Sequence, residues 1–115
     1  MKPEDFVKNT RTSIIDLNVE LYKETFDHCL TGQVTDPYWK DALALFEKLD
    51  HSEREVFFNV IRQVSVDTTS SIFAVLDGIS EFEGQEKEFV LSTEGSEERL
   101  NGSLQDLFLE LEEIS

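Results

Sequence analysis

The sequence is poor in positive charge, in cysteine and in proline. Ten Lys and Arg stand against 25 Asp and Glu in 115 residues, a formal charge of −15. Nucleic-acid phosphate and anionic membrane surfaces repel such a chain, so neither is expected as a direct partner. Cys29 is the one cysteine. A single thiol excludes an intramolecular disulfide framework and suits a reducing compartment. No apolar run approaches the roughly 18–20 residues of a membrane span. The opening Met1-Lys2-Pro3-Glu4-Asp5 carries acids where a secretory signal has its apolar stretch. A cytoplasmic protein is the expectation.

Apolar residues are not scarce. They make up 39% of the chain and include nine Phe, and the mass is 13.2 kDa. That suits one domain, 1–115, burying roughly 65% of its unfolded surface without metal or disulfide staples. No internal repeat or long linker divides it.

The spacing predicts three packed helices near 3–31, 37–49 and 52–77. Pro3 before Glu4 and Asp5 fits a helix start. Asn9 to Ser13 prefer caps to helix interiors and mark a potential break. Ile15, Val19, Tyr22, Phe26 and Cys29 then fall on one face, and Gly32 ends the run. Asp36-Pro37 begins the second helix, whose stripe includes Trp39, Leu43 and Phe46. In the third, apolar and small residues from Val56 to Leu76 cover about half the circumference. A stripe that wide implies covering on more than one side. Val66 and Phe73 stand on the otherwise polar face, so a cover is expected above them, from the hairpin or the last helix or else from a partner chain, the intramolecular cover being favoured. Asp77-Gly78 is the stop.

Beyond residue 78 the texture changes. Short apolar pieces separated by Gly84 and Gly95 suggest a small β-hairpin over about 79–93, pairing 79–83 with 87–93. A third strand falls near 97–101. Leu104, Leu107, Phe108, Leu111 and Ile114 define a last amphipathic helix near 103–114. The expected class is α+β, mainly α: a three-helix core with a small antiparallel hairpin and a C-terminal helix.

Catalytic patterns are few. His28, Cys29 and His51 cannot complete a zinc site, because adjacent helical residues point about 100° apart. Asp16, Glu20, Glu24 and Asp27 share one helix face, and Glu24-Thr-Phe-Asp27 has an ExxD spacing. Some all-α nucleotide pyrophosphohydrolases use that spacing to hold a divalent metal, but the EExxE element that accompanies it is absent. No GxSxG or P-loop occurs. Asp67, inside the polar run Asp67-Thr68-Thr69-Ser70-Ser71, is either an acid held in a pocket or part of a satisfied polar knot. The knot is the simpler reading.

The strongest signal is where the acid falls. Residues 1–76 carry 13 acids and 8 bases, whereas residues 77–115 carry 12 acids and only Lys87 and Arg99. Glu81, Glu83, Glu86 and Glu88 crowd one turn, and Glu94, Glu97 and Glu98 crowd the next. Asp106, Glu110 and Glu113 line the polar side of the last helix, with Glu112 beside them. The acids close to the helix C-terminus oppose the macrodipole. Solubility explains part of this. A surface built for a basic partner explains its concentration.

With aromatics set between acids in Glu81-Phe-Glu-Gly-Gln-Glu-Lys-Glu88, and with the run Glu110-Leu-Glu-Glu113, residues 77–115 resemble small acidic bacterial immunity and antitoxin proteins in size and charge. Such proteins neutralise nuclease toxins, often basic, by covering the site that takes phosphate. The resemblance implies a partner type and no architecture. The expectation is a non-enzymatic immunity- or inhibitor-type module without cofactor. Its partner-binding residues would be the ten acids Glu81, Glu83, Glu86, Glu88, Glu94, Glu97, Glu98, Asp106, Glu110 and Glu113. The alternatives are a divalent-metal-dependent all-α nucleotide hydrolase using Glu20, Glu24 and Asp27, or a DNA-mimic regulator. Oligomeric state is left open.

Overall fold

A computed structural model describes residues 1–114, and among them every regular element is a helix. The first, α1, is continuous through regular turns over Pro3–Thr10, a π-helical stretch over Arg11–Asp16, and regular turns over Leu17–His28. Pro3 stands at its first position, and the Asp5 carboxylate accepts the Lys2 N–H. The break foreseen at Asn9 to Ser13 takes the form of the π stretch. Hydroxyls of Thr10 and Thr12 donate to the carbonyls of Phe6 and Lys8 there, which loosens a helix without ending it. α1 stops at His28, earlier than Gly32, because Cys29 turns to extended backbone.

α2 spans Pro37–Glu47 and α3 spans His51–Leu76. Asp36 caps α2 by accepting the Tyr38 N–H at 2.9 Å. Asp50 and Glu53 form a reciprocal capping box on α3. α3 ends as Asp77-Gly78 predicts. Gly78 takes φ +81°, its N–H donates to Val75, and the Ile79 N–H reaches back to Ala74. The last helix, α4, spans Leu104–Ile114.

The β-hairpin is a correction: no strand forms over 79–93 or 97–101, and the fold is all-helical. Residues 77–103 are an ordered loop with turns at Gly84 and Gly95, both at positive φ. Phe82 and Phe89 do meet edge to face, as hairpin partners would, at 6.0 Å. But with Phe82 opposite Phe89, Glu83 would stand directly across from Glu88, and Glu is a poor strand former. Side chains take the ladder's place. Gln85 accepts the Phe82 N–H and donates to the Lys87 carbonyl, and Asn101 accepts the Leu91 N–H.

α3 is the spine, with a core at each end. At its C-terminal end, Val66 and Phe73 pack with Val7, Ile15 and Val19 of α1 and with Leu104 and Phe108 of α4. The rings of Phe73 and Phe108 meet edge to face at 5.4 Å. The cover expected over Val66 and Phe73 is therefore intramolecular. At the other end, Phe26, Leu43 and Phe46 gather Tyr22, Trp39, Phe57 and Phe58 into an aromatic cluster. The expected covering of the whole α3 stripe is also corrected. Val56, Val60, Val64 and Ile72 are more than half exposed, because α1 and α4 leave that side open.

Candidate protein-binding face

One side chain makes the most contacts that hold the loop 77–103. Asn101 is buried, and its amide donates to the carbonyls of Leu76 and Phe89 while its oxygen accepts from Leu91 and Arg99. This knot ties the loop to the end of α3. Asp77 fixes the start of α4: its carboxylate accepts the N–H groups of Gly102 at 2.6 Å and Gln105 at 2.8 Å. The cap of α4 is thus supplied from across the loop.

The ten predicted acids sit on this framework. Glu81, Glu83, Glu86, Glu88, Glu94, Glu97, Glu98, Asp106, Glu110 and Glu113 are all exposed. Among the described residues none of them makes an ion pair. The reason lies partly in Arg99, one of the two bases in this third of the chain. It donates to the Phe89 carbonyl and to Asn101 rather than to any carboxylate. Lys87 is exposed and likewise makes no ion pair. The result is a set of exposed, unpaired carboxylates on a loop tied to the end of α3 and on α4.

Glu112 behaves differently. It is partly buried, accepting from Arg11 at 3.1 Å and from Arg62 at 2.9 Å, and Arg62 also holds Asp16 at 2.7 Å. This network locks α4 to α1 and α3. Sequence reasoning missed it, although Glu112 lies one turn beyond Phe108 and so at the edge of the buried stripe. Asp67 is exposed and paired with Gln63 at 2.9 Å, outside any pocket. The polar knot in that run belongs to buried Ser70, which accepts from Gln105.

The acids of the metal reading are dispersed in role. Asp16 pairs with Arg62 and Glu20 with Lys23, while Glu24 and Asp27 are exposed. Among the described residues no group of three His, Cys, Asp or Glu is placed to hold a metal ion. Perturbed titration occurs away from the acidic face. Hydrogen bonds from the Thr31 hydroxyl and N–H hold Glu47 below the usual carboxylate range. A hydrogen bond with Tyr22 pushes the Tyr38 phenol up. These are ties of the loop before α2 and of the aromatic cluster.

No described helix is long and apolar enough to cross a membrane. Compared with known proteins, the chain matches no family model, no curated protein and no solved structure. The class defined by fold and face is an all-helical chain bearing an ordered, uncompensated acidic surface.

Proposed function

We propose that the chain is a non-enzymatic binding protein of the immunity or inhibitor type, presenting the acids of 81–113 to a basic protein such as a nuclease toxin. One observation carries this reading: ten exposed carboxylates occupy a single loop and helix whose two bases, Lys87 and Arg99, make no ion pair, on a backbone that Asn101 and Asp77 tie to α3 and α4. A merely solubilising tail needs no such anchoring. A rigid anionic face speeds encounter with a cationic partner and rejects anionic ones.

The experiment is location-controlled charge reversal. The protein is immobilised and exposed to extract of its native host. Glu→Lys at Glu83, Glu86, Glu110 and Glu113 abolishes capture of the basic partner. Four reversals elsewhere, at Glu24, Asp27, Asp41 and Glu55, change the net charge equally and preserve it. Equal loss in both variants would reduce the face to bulk charge and reject the reading.

A further inference from the structure

α1 and α3 lie side by side, and the two flanks of their seam differ. On one flank Arg62 bridges Asp16 and Glu112. The other is apolar. It holds a groove of about 510 Å3 floored by Val19 and Ile61, walled by Tyr22 and Val64, with Asn18 and Ser65 as its polar edge.

Aliphatic side chains continue outward from the groove. Ile14, Leu17 and Leu21 follow a three- and four-residue spacing on α1, and Val56, Val60 and Val64 a four-residue spacing on α3. Each is 49–61% exposed. Together they present on the order of 500 Å2 of apolar surface, at the upper end of what an ordinary monomer leaves open. No charged side chain interrupts either stripe.

We propose that a second copy of this chain docks on this face, forming a two-fold dimer. A two-fold contact puts the same patch on both sides, so the patch must accept itself. In a molecule of charge −15, an uncharged aliphatic patch meets that condition where acidic surfaces repel. The groove lining brings the open area to roughly 600 Å2, the lower end per partner of a standard interface. The shape agrees. The radius of gyration is 17.9 Å, against about 13 Å for a compact chain of this size. Pairing two elongated units flank to flank buries the open stripes in a four-helix layer.

The dimer carries a signature that separates it from the acidic face. Bringing two such anions together is opposed by repulsion, which salt screens. Self-association therefore tightens between about 0.1 M and about 1 M salt, as the screening length falls from about 10 to 3 Å. Capture of a basic partner weakens over the same range.

Sedimentation equilibrium of the full chain tests this. The expected mass is twice 13.2 kDa, with the monomer recovered on dilution. Val60→Glu and, separately, Leu21→Glu weaken association on the order of 100-fold or more by burying unpaired carboxylates. Circular dichroism shows their helix content unchanged, since both sites are exposed in the monomer. Val90→Glu, at an exposed apolar position in the loop, leaves the dimer intact. A wild-type chain that stays monomeric at millimolar concentration in both salts overturns the proposal and leaves the groove to another occupant. So does a Val60→Glu chain that still dimerises.

Discussion

Asp77 caps a helix that begins 27 residues after it: its carboxylate accepts the Gln105 N–H at 2.8 Å, closing the end of α3 onto the start of α4. The same carboxylate takes the Gly102 N–H. One side chain thus satisfies an N–H group of α4's first turn and pins the backbone just ahead of the helix.

Asp77→Ala should cost about 1–2 kcal/mol, the upper range for a lost helix cap. Asp77→Asn, which keeps an acceptor, should cost less. Urea unfolding measures both. Equal stability of the alanine variant and wild type would contradict the role assigned to this carboxylate.

Asn101 is the sharper test of loop order. Asn101→Ala leaves the Leu76 carbonyl and the Leu91 N–H without this partner and the Phe89 carbonyl with Arg99 only. The expected destabilisation is about 2–4 kcal/mol, from several polar groups orphaned at once. Hydrogen exchange at the Leu91 amide should rise with it. Protection at Leu91 unchanged in the variant would show that the knot is not what holds the loop.

Arg62 and Glu112 should prove coupled. Their bridge is partly screened, with side-chain exposures of 28% and 19%, so the coupling is expected near 1 kcal/mol. A double-mutant cycle of Arg62→Ala and Glu112→Ala isolates it from the separate Arg62–Asp16 and Arg11–Glu112 contacts. Strict additivity would contradict the coupling assigned to this pair.

The cap on α3 carries a pH dependence. Hydrogen bonds from the Glu53 N–H and the Ser52 hydroxyl hold Asp50 below its ordinary range. A lowered folded-state value contributes stability that is fully present above the unfolded value, about 3.9. It disappears as pH falls through the folded value. The stability gap between wild type and Asp50→Asn should therefore shrink as pH drops below about 4. A gap that stays constant from neutral to acid pH would contradict this.

Helix positions were largely legible because local signals coincide with tertiary demands. Pro3, Asp36-Pro37 and Asp50 all start helices, and Gly78 ends one. The hairpin expectation failed because short apolar pieces separated by Gly84 and Gly95 also suit an irregular loop, and the glutamates among them disfavour a ladder. Nothing local announces that Asn101 would substitute for backbone pairing, or that Glu112, alone among the C-terminal acids, would turn toward Arg62. Those partners lie 25 and 50 positions away. The reverse error occurred on α3. A stripe spacing shows that Val56, Val60 and Val64 share a face, but not whether the same chain has anything left to lay across it.

The central claim is that the ordered acids of 81–113 guide a basic protein onto this face. It is tested most directly by the association rate of the captured partner with wild type and with the Glu83, Glu86, Glu110 and Glu113 charge-reversed variant, from low to high salt. Steered association is fast at low salt and falls steeply as salt rises. Wild type should show that steep fall, and the variant a slower, nearly salt-independent rate. Identical rates and identical salt dependence for the two would contradict it.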